Sequence, residues 1–431
     1  MIIHYPLSTI FSPIHHTFGP HVSSAYLLQS TKQLLQCWKW KNGPERERLR
    51  ESLEKWFGAR CALFASGREG LLALLRSLPI EKGSGILVQG FTCVALPNAI
   101  HAAGFTPTFF EVDPETLNFD LDALDGKITP RTKAIIVQHT FGIVADMQKL
   151  RAIADRHGLL LIEDCAHVLP DATGPKIIGK HGDFLMLSFG RDKAASGVSG
   201  GAILTKDEEV AKLLRDEEVS AKELPLLTIK RLLCYPLIYF IAKPFYGIGI
   251  GKAFLFLASK CHLLSPVLTK KEKSGFQSPI VHRMPSSLCA LVRWEFKHFE
   301  SINNHRRKIT KKYLEVARKH HWKIPSDITS DLPLQKFPIL TQDADSIRSK
   351  LKKRNIYLDD GWTGASICPR TVNQEATGYI LGFCPKAERL SKQILVLPTH
   401  PTMTARQANT IIKEVNSLLK KYENRKPKSE N

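Results

Sequence analysis

Acid is scarce where the chain is most basic. The formal net charge is +20, from 61 Lys and Arg against 41 Asp and Glu over 431 residues. Of this, +15 falls between residues 224 and 323, where 19 basic residues face only Glu272, Glu295, Glu300 and Glu315. From 224 to 271 there is no Asp or Glu at all. A basic face this concentrated calls for an anionic partner: a phosphate-bearing substrate, an anionic lipid surface or nucleic acid. Long apolar runs are missing too. The longest uncharged run in that stretch, 232–242, has 11 residues, whereas a spanning helix needs about 20, which argues against a transmembrane helix. The nine cysteines are scattered, with no C-x-x-C or other metal-ligand spacing. Neither a disulfide framework nor a metal site is expected, and a reducing cytosol is the simpler setting. The opening "MIIHYPLSTIFSPIHH" lacks a basic segment, an unbroken apolar core and a small-residue cleavage site, so no secretory leader is expected. No internal repeat or low-complexity tract is visible. No nucleic-acid motif accompanies the charge, so nucleic acid is set aside as a partner.

What is present is alternation. "PERERLRESLEKWF" predicts a helix closed by Gly58. The apolar runs "CALFASG", "GILVQG", "PTFFEVD", "KAIIVQHTFG", "LLLIEDCAH" and "GGAILT" predict strands, separated by helical stretches such as "REGLLALLRSL" and "DMQKLRAIADRHG". Strands alternating with helices imply a mostly parallel sheet covered on both faces. Thr205 with Glu208 has the spacing of a capping box opening the next helix. Residues 224–271 then break the pattern. Their apolar blocks are interrupted by Lys230, Arg231, Lys243, Lys252 and Lys260 and interleaved with aromatics, which fits a segment lying in a membrane interface; a buried subunit contact or a core excursion is the alternative. Beyond them, 288–320 is expected to be one long basic helix, and the rest a small α+β unit.

The chemistry centres on "LSFGRDKAASGVSGG", Leu187 to Gly201. A lone lysine after a strand is ordinarily a solvated charge, but three features surround Lys193. Asp164 ends a buried strand, where open α/β sheets bind ligands. Ser66 and Gly67 sit at a strand-to-helix turn, whose free N–H groups and helix dipole suit an anion. Ser188 precedes Lys193 on the same loop. A carboxylate, a phosphate cradle and a lysine are together what pyridoxal 5′-phosphate requires: an amine to bond the aldehyde, an acid partner for the pyridine nitrogen, and donors for the phosphate.

In order and spacing, "SGREGLLAL", "FTCVALPNAIHAAGFTPTFFEVDPETLNFD", "GLLLIEDCAH", "GDFLMLSFGRDK", "GGAILT", "HRM" and "LPTHP" resemble the DegT-type sugar aminotransferases, over roughly residues 43 to 420. The resemblance implies a fold type I α/β architecture: a large domain with a mostly parallel seven-stranded sheet flanked by helices, and a smaller C-terminal α+β domain. It implies Lys193 as the Schiff-base lysine and Asp164 as the pyridinium partner. It also puts His167 against the cofactor ring, Ser188 on the phosphate, and Ser66, Gly67 and Arg68 in the phosphate turn. His139 matches the histidine of the family's H-x-x-G strand end, or is a satisfied core histidine. Departures are visible. Cys93 stands where the family commonly stacks an aromatic ring, with Phe91 as a substitute nearby. Arg68 either contacts phosphate or pairs with Glu69. Val281 replaces an asparagine that reaches across the dimer, and Ser199 a glutamate.

The organisation expected is an N-terminal extension (1–42), a cofactor-binding domain (43–223), an apolar basic insert (224–275), a small domain with a linking helix (276–420) and a disordered tail (421–431). The function expected is amino transfer, from L-glutamate as donor, to a nucleotide- or lipid-linked keto-sugar in polysaccharide or glycolipid synthesis. The protein is expected as a cytoplasmic homodimer with its active site at the interface, resting peripherally on the membrane's inner face. The alternative is a scaffold of the same fold that binds the cofactor without turnover.

Overall fold

Helix boundaries follow the capping chemistry of the sequence. The computed structural model describes residues 13–15, 19–171 and 178–423. Helix α1 (Ser24–Leu35) starts at Ser23, whose hydroxyl accepts the Tyr26 N–H. Helix α2 (Glu45–Phe57) stops at Gly58, which takes the left-handed conformation at φ 62°. The chain then alternates: β1 (Arg60–Phe64), α3 (Gly67–Ser77), β2 (Gly85–Gln89), α4 (Ala95–Ala102), β3 (Thr106–Phe110), β4 (Thr132–Gln138), α5 (Met147–His157), β5 (Leu160–Asp164), β6 (Phe184–Ser188), β7 (Gly201–Thr205) and α6 (Glu208–Ser220). After β8 (Lys222–Glu223) come α7 (Leu226–Ala242), α8 (Ile250–Lys260), β9 (His282–Arg283), α9 (Ser286–Lys297) and α10 (Phe299–Lys319). The chain ends with β10 (Lys336–Leu340), α11 (Ala344–Lys352), α12 (Pro385–Gln393), β11 (Ile394–Pro398) and α13 (Ala405–Glu423).

The main sheet runs β8-β9-β1-β7-β6-β5-β4-β2-β3. Its seven long strands are those the resemblance implied, and the two-residue β8 and β9 extend one edge to nine. Strands β6, β5, β4, β2 and β3 are mutually parallel, while β7 runs against both β6 and β1. Side-chain alternation splits each strand between two cores. Ile86 and Val88 join α3 and α4 on one face, and Leu87 joins α5 on the other. The antiparallel pair β10–β11 packs with α10, α11 and α13 in a separate core.

Three local expectations change. Thr205 does not cap α6: as the last residue of β7 it is held in the sheet, and its hydroxyl donates to Asp183 O. Asp207 caps instead, accepting from Glu209 N and Val210 N. The long basic helix is two helices, broken at His298 (φ −104°, ψ 8°), where Phe296 and Phe299 stack on each other and both meet Trp56. Helix α13 continues to Glu423, so the stretch assigned to the tail begins inside a helix; residues 424–431 lie outside the described residues.

The first half of the insert is core. Ile229, Leu233 and Tyr239 of α7 are buried, Ser30 of α1 donates to Leu233 O at 2.9 Å, and Tyr239 lies so close to Gly19 that a Cβ there would sit 2.3 Å from the ring. Helix α8 stays on the outside.

A buried ion pair locks α2 and α6 to β1. Arg50 donates to Glu218 at 2.9 and 2.7 Å, and Leu63 N donates to the same carboxylate at 3.1 Å. Glu218→Ala would strand the Arg50 charge in the core, and a loss of about 3–5 kcal/mol is expected. Denaturant unfolding checks it; a midpoint equal to wild type would refute it.

Candidate active site

Because β7 is reversed, its start lies beside the ends of β1 and β6. Gly201 pairs with both Ser188 and Phe64, and Asp164 pairs with Gln138 and Met186. The turn after β1, the carboxylate ending β5, the serine ending β6 and the β6–β7 loop therefore meet at one edge of the sheet.

Glycine is required at the turn. A Cβ on Gly67 would meet Ser188 Oγ at 3.0 Å, and one on Gly201 would sit 2.5 Å from Gly67 Cα. Ser66 is the N-cap of α3, accepting from Glu69 N at 3.2 Å. By helix geometry the Gly67 and Arg68 N–H groups have no acceptor within the helix. Arg68 and Glu69 do not pair with each other. The Arg68 guanidinium binds Glu272 and, at 3.0 Å, Val267 O. Glu69 accepts from His282 N at 2.9 Å and faces its Nδ1 at 3.3 Å. The end of the insert is thus stitched to the turn, with Asn98 donating to Glu272 O at 2.8 Å and Gln277 to Arg68 O at 3.0 Å. Arg191, two residues before Lys193, lies over the Tyr235 ring at 4.0 Å and donates to Ser265 O at 2.7 Å.

Asp164 is buried and accepts from Ala166 N at 2.9 Å. Burial raises its pKa, with Ala166 N–H, Lys193 and His139 pulling the other way. His167 accepts the Phe141 N–H on Nδ1 at 3.2 Å. Burial, then Lys193 and Lys336, push its pKa well down. It is a neutral imidazole whose proton sits on Nε2. Its ring stacks on Phe141 (5.9 Å, 18°) and meets the edge of Trp362 at 4.9 Å. Phe141 itself holds φ at 57°, unusual for a bulky residue, before Gly142 at φ 93°.

Cys93 is a half-buried thiol beside Cys368 in a short ladder. Burial raises its pKa, Lys193 and Arg68 oppose, and Asp164 adds to the rise, which puts it among the site's charges. Phe91 does not take its place: it is fully buried, edge-on to Phe141 and Trp362. Val281 is packed in the core with α3, and Ser199 donates to Ala65 O at 2.6 Å.

His139 is buried in the core, its Nδ1 accepting from Ala145 N at 3.2 Å and its Nε2 lying 3.4 Å from Glu163. With Glu163 and Cys165 it brings three potential metal ligands within 4.8 Å, but Glu163 already accepts from Gly179, His181 and Gly182 N–H at 2.7, 3.2 and 2.6 Å. Although burial opposes it, His139 and the Gly179 and Gly182 amides hold the Glu163 carboxyl below the usual range. The cluster anchors the loop between β5 and β6.

Sequence reading missed the far wall. Lys336, almost fully buried, binds Asp359, lies 3.7 Å from Asp192 and sits 5.8 Å from the Phe141 and Trp362 rings. Burial alone would lower its pKa; Asp359 and Asp192 outweigh that and keep it charged. Gln335 donates to Asp192 O. An aromatic residue two positions after "LDD" was the one available signal, and it is weak.

The fold and site define an α/β scaffold in which a lysine, a buried carboxylate and a glycine turn at a helix N-terminus converge near an aromatic wall. The chain belongs to the DegT/DnrJ/EryC1/StrS aminotransferase family, whose model matches residues 23–223 and 257–416. The unmatched interval falls on α7 and the start of α8. The chain is similar to the L-glutamine:2-deoxy-scyllo-inosose aminotransferase of Streptoalloteichus tenebrarius, 34% identical over 195 residues, 43% of this chain and 46% of that protein. It is 38% identical over 153 residues to the UDP-N-acetyl-3-dehydro-alpha-D-glucosamine 3-aminotransferase of Acidithiobacillus ferrooxidans, 35% of this chain and 41% of that one. The chain thus spans less than half the length of these curated relatives. Among solved structures, NtdA from Bacillus subtilis with bound cofactor PMP has the same fold, at TM-score 0.70 and 21% identity over 92% of this chain and 83% of that one.

Proposed function

We propose that the protein is a pyridoxal 5′-phosphate-dependent aminotransferase that moves an amino group from L-glutamate to a nucleotide- or lipid-linked keto-sugar, in polysaccharide or glycolipid synthesis. The observation that carries this is the convergence of Gly67, Ser188, Asp164 and Lys193 at one sheet edge. Those residues fit the cofactor. The turn, bare of Cβ atoms, offers N–H donors and a positive helix end to a phosphate, with Ser188 beside it. Asp164, destabilised as a lone buried carboxylate, would gain a cationic partner in the protonated ring nitrogen. When bound, the cofactor supplies an aldehyde for the amine and a ring that withdraws electrons from the reacting carbon. The Lys193 amine, once free, holds and returns the proton at that carbon. His167, uncharged, adds no competing cation beside Asp164. Relatives' names support the substrate class: one names L-glutamine and an inosose, the other a UDP-linked sugar.

The purified protein given cofactor should absorb near about 410–430 nm and lose that band toward about 330 nm with L-glutamate. L-glutamine in place of L-glutamate separates the two donors. Arg68 committed to Glu272, and Cys93 in place of a ring, favour the second reading, a cofactor-binding regulatory or scaffold protein. A protein that stays colourless with cofactor would overturn the aminotransferase reading; colour without amino transfer to any keto-sugar would favour the scaffold.

In the same reading the insert rests on an anionic lipid surface. No helix among the described residues is long and apolar enough to cross a membrane. Phe245, Ile250, Phe256, Leu257 and Val267 are at least half exposed. Lys243, Lys252 and Lys260 lie 5.8, 5.2 and 5.6 Å from the rings of Tyr239, Tyr246 and Phe256, and no acid interrupts the stretch. That combination of exposed apolar groups and lysines suits anionic headgroups. The double variant Phe256→Asp/Leu257→Asp should bind phosphatidylglycerol-containing vesicles on the order of 10- to 100-fold more weakly. Equal sedimentation of both proteins would end the proposal. A second exposed group, Phe276, Ile380, Leu381 and Phe383, flanks in sequence the contact of Gly275 with Ala376. It supports a homodimer contact beside the active site, which sedimentation velocity would test.

A further inference from the structure

The carbonyl of Lys193 is held by two side chains from distant parts of the chain, and a third, Glu295, braces one of them. His21 Nε2 lies 2.9 Å from the carbonyl oxygen, and an Arg306 guanidinium nitrogen 3.3 Å. A carbonyl only accepts, so His21 Nε2 carries a proton. On its other side, His21 Nδ1 lies 2.6 Å from Glu295 Oε2, and the same oxygen accepts the Ser196 N–H at 3.4 Å. Tyr26 adds a donor to Ser196 O at 3.0 Å. The three residues are 3, 2 and 1% exposed, so none of these contacts competes with water.

This burial is costly. It draws the Arg306 guanidinium down to about 10, with Glu295 opposing, and leaves Arg306 Nε without a partner. Apolar side chains of similar volume would fill such a site at no loss of stability. The three side chains instead fix a single stretch of backbone, residues 193–196. The loop is also held from the opposite side, by Gln335 and Lys336 on Asp192. A lysine that bonds and releases a cofactor needs its main chain fixed while its side chain moves, since small misplacements of a reacting group cost rate steeply.

We infer that His21, Glu295 and Arg306 are positioning residues for Lys193, so that His21, just ahead of α1, serves the active site. The inference rests on the assignment of Lys193 made above.

The test compares covalent attachment with plain binding. Apo wild type, His21→Leu, His21→Gln and Arg306→Met are mixed with pyridoxal phosphate and quenched with borohydride at intervals, and the modified peptide is read by mass spectrometry. Binding of pyridoxamine phosphate, which forms no bond to lysine, is measured beside it by fluorescence. The rate of attachment to Lys193 should fall on the order of 10- to 100-fold in His21→Leu and Arg306→Met, with pyridoxamine phosphate affinity unchanged. His21→Gln, which keeps a donor, should recover most of the rate. Should Arg306→Met fail to fold, the two His21 variants decide. Wild-type rates in His21→Leu would overturn the inference. So would a parallel fall in both readouts without rescue, which would make the trio merely structural. Absence of attachment at Lys193 in wild type would instead overturn the cofactor reading, and this inference with it.

Discussion

Lys193→Ala should give a folded protein that lacks the band near about 410–430 nm when supplied with pyridoxal phosphate and transfers amino groups at least 10²–10⁴-fold more slowly. The expectation follows from position. Lys193 lies within electrostatic reach of Asp164, Cys93 and His167, and among the described residues the other amine in those environments is the Lys336 ammonium near His167, which is committed to Asp359. Lys193→Arg should not rescue, because a guanidinium stays charged and cannot act as the neutral amine. An unchanged band in Lys193→Ala would move the nucleophile elsewhere.

Asp164→Asn should separate activity from stability. The amide cannot hold a ring nitrogen protonated, so amino transfer should drop by about 10²-fold or more. The apo-protein should nonetheless gain stability at neutral pH. Burial raises the Asp164 pKa above its unfolded value of 3.8. A carboxyl whose folded pKa is raised favours the native state while protonated, and that contribution is lost as pH rises from the unfolded value through the folded one. The wild type should therefore show a downward slope of stability with pH in that window, and Asp164→Asn should lack it. Parallel urea titrations across that window check this. Identical slopes would mean that Asp164 is not destabilised as an anion.

How much was legible varies with distance along the chain. Lys193, Asp164 and the Ser66–Gly67 turn could be read because strand ends and glycine turns are local signals, and open α/β sheets gather their ligands at strand ends. The capping residue of α6 was misread by two positions because a threonine ending a strand and one opening a helix look alike in sequence. Strands β8 and β9 are too short for any period to show. The partner of Arg68 was out of reach for another reason. Glu69 is adjacent, yet the guanidinium turns to Glu272, 204 residues away, and no local pattern encodes that choice. Trp362 and Lys336 escaped likewise: their meaning lies in packing against Phe141 and His167, not in their own segments. His21 sits in an extension that carried no motif.

The reversed strand β7 also sets an order in time. Because β6 and β7 are antiparallel neighbours, Phe184 pairs with Thr205 and the loop bearing Lys193 can close as a local hairpin, an event of microseconds. Its supports arrive late. His21 lies 172 residues upstream of Lys193 and Arg306 lies 113 downstream, and contacts of such span form slowly. The pairing that frames the Lys193 loop is thus local in sequence, whereas its bracing needs chain 172 residues before it and 113 residues after it, so the loop's framing and its support belong to different ranges of contact.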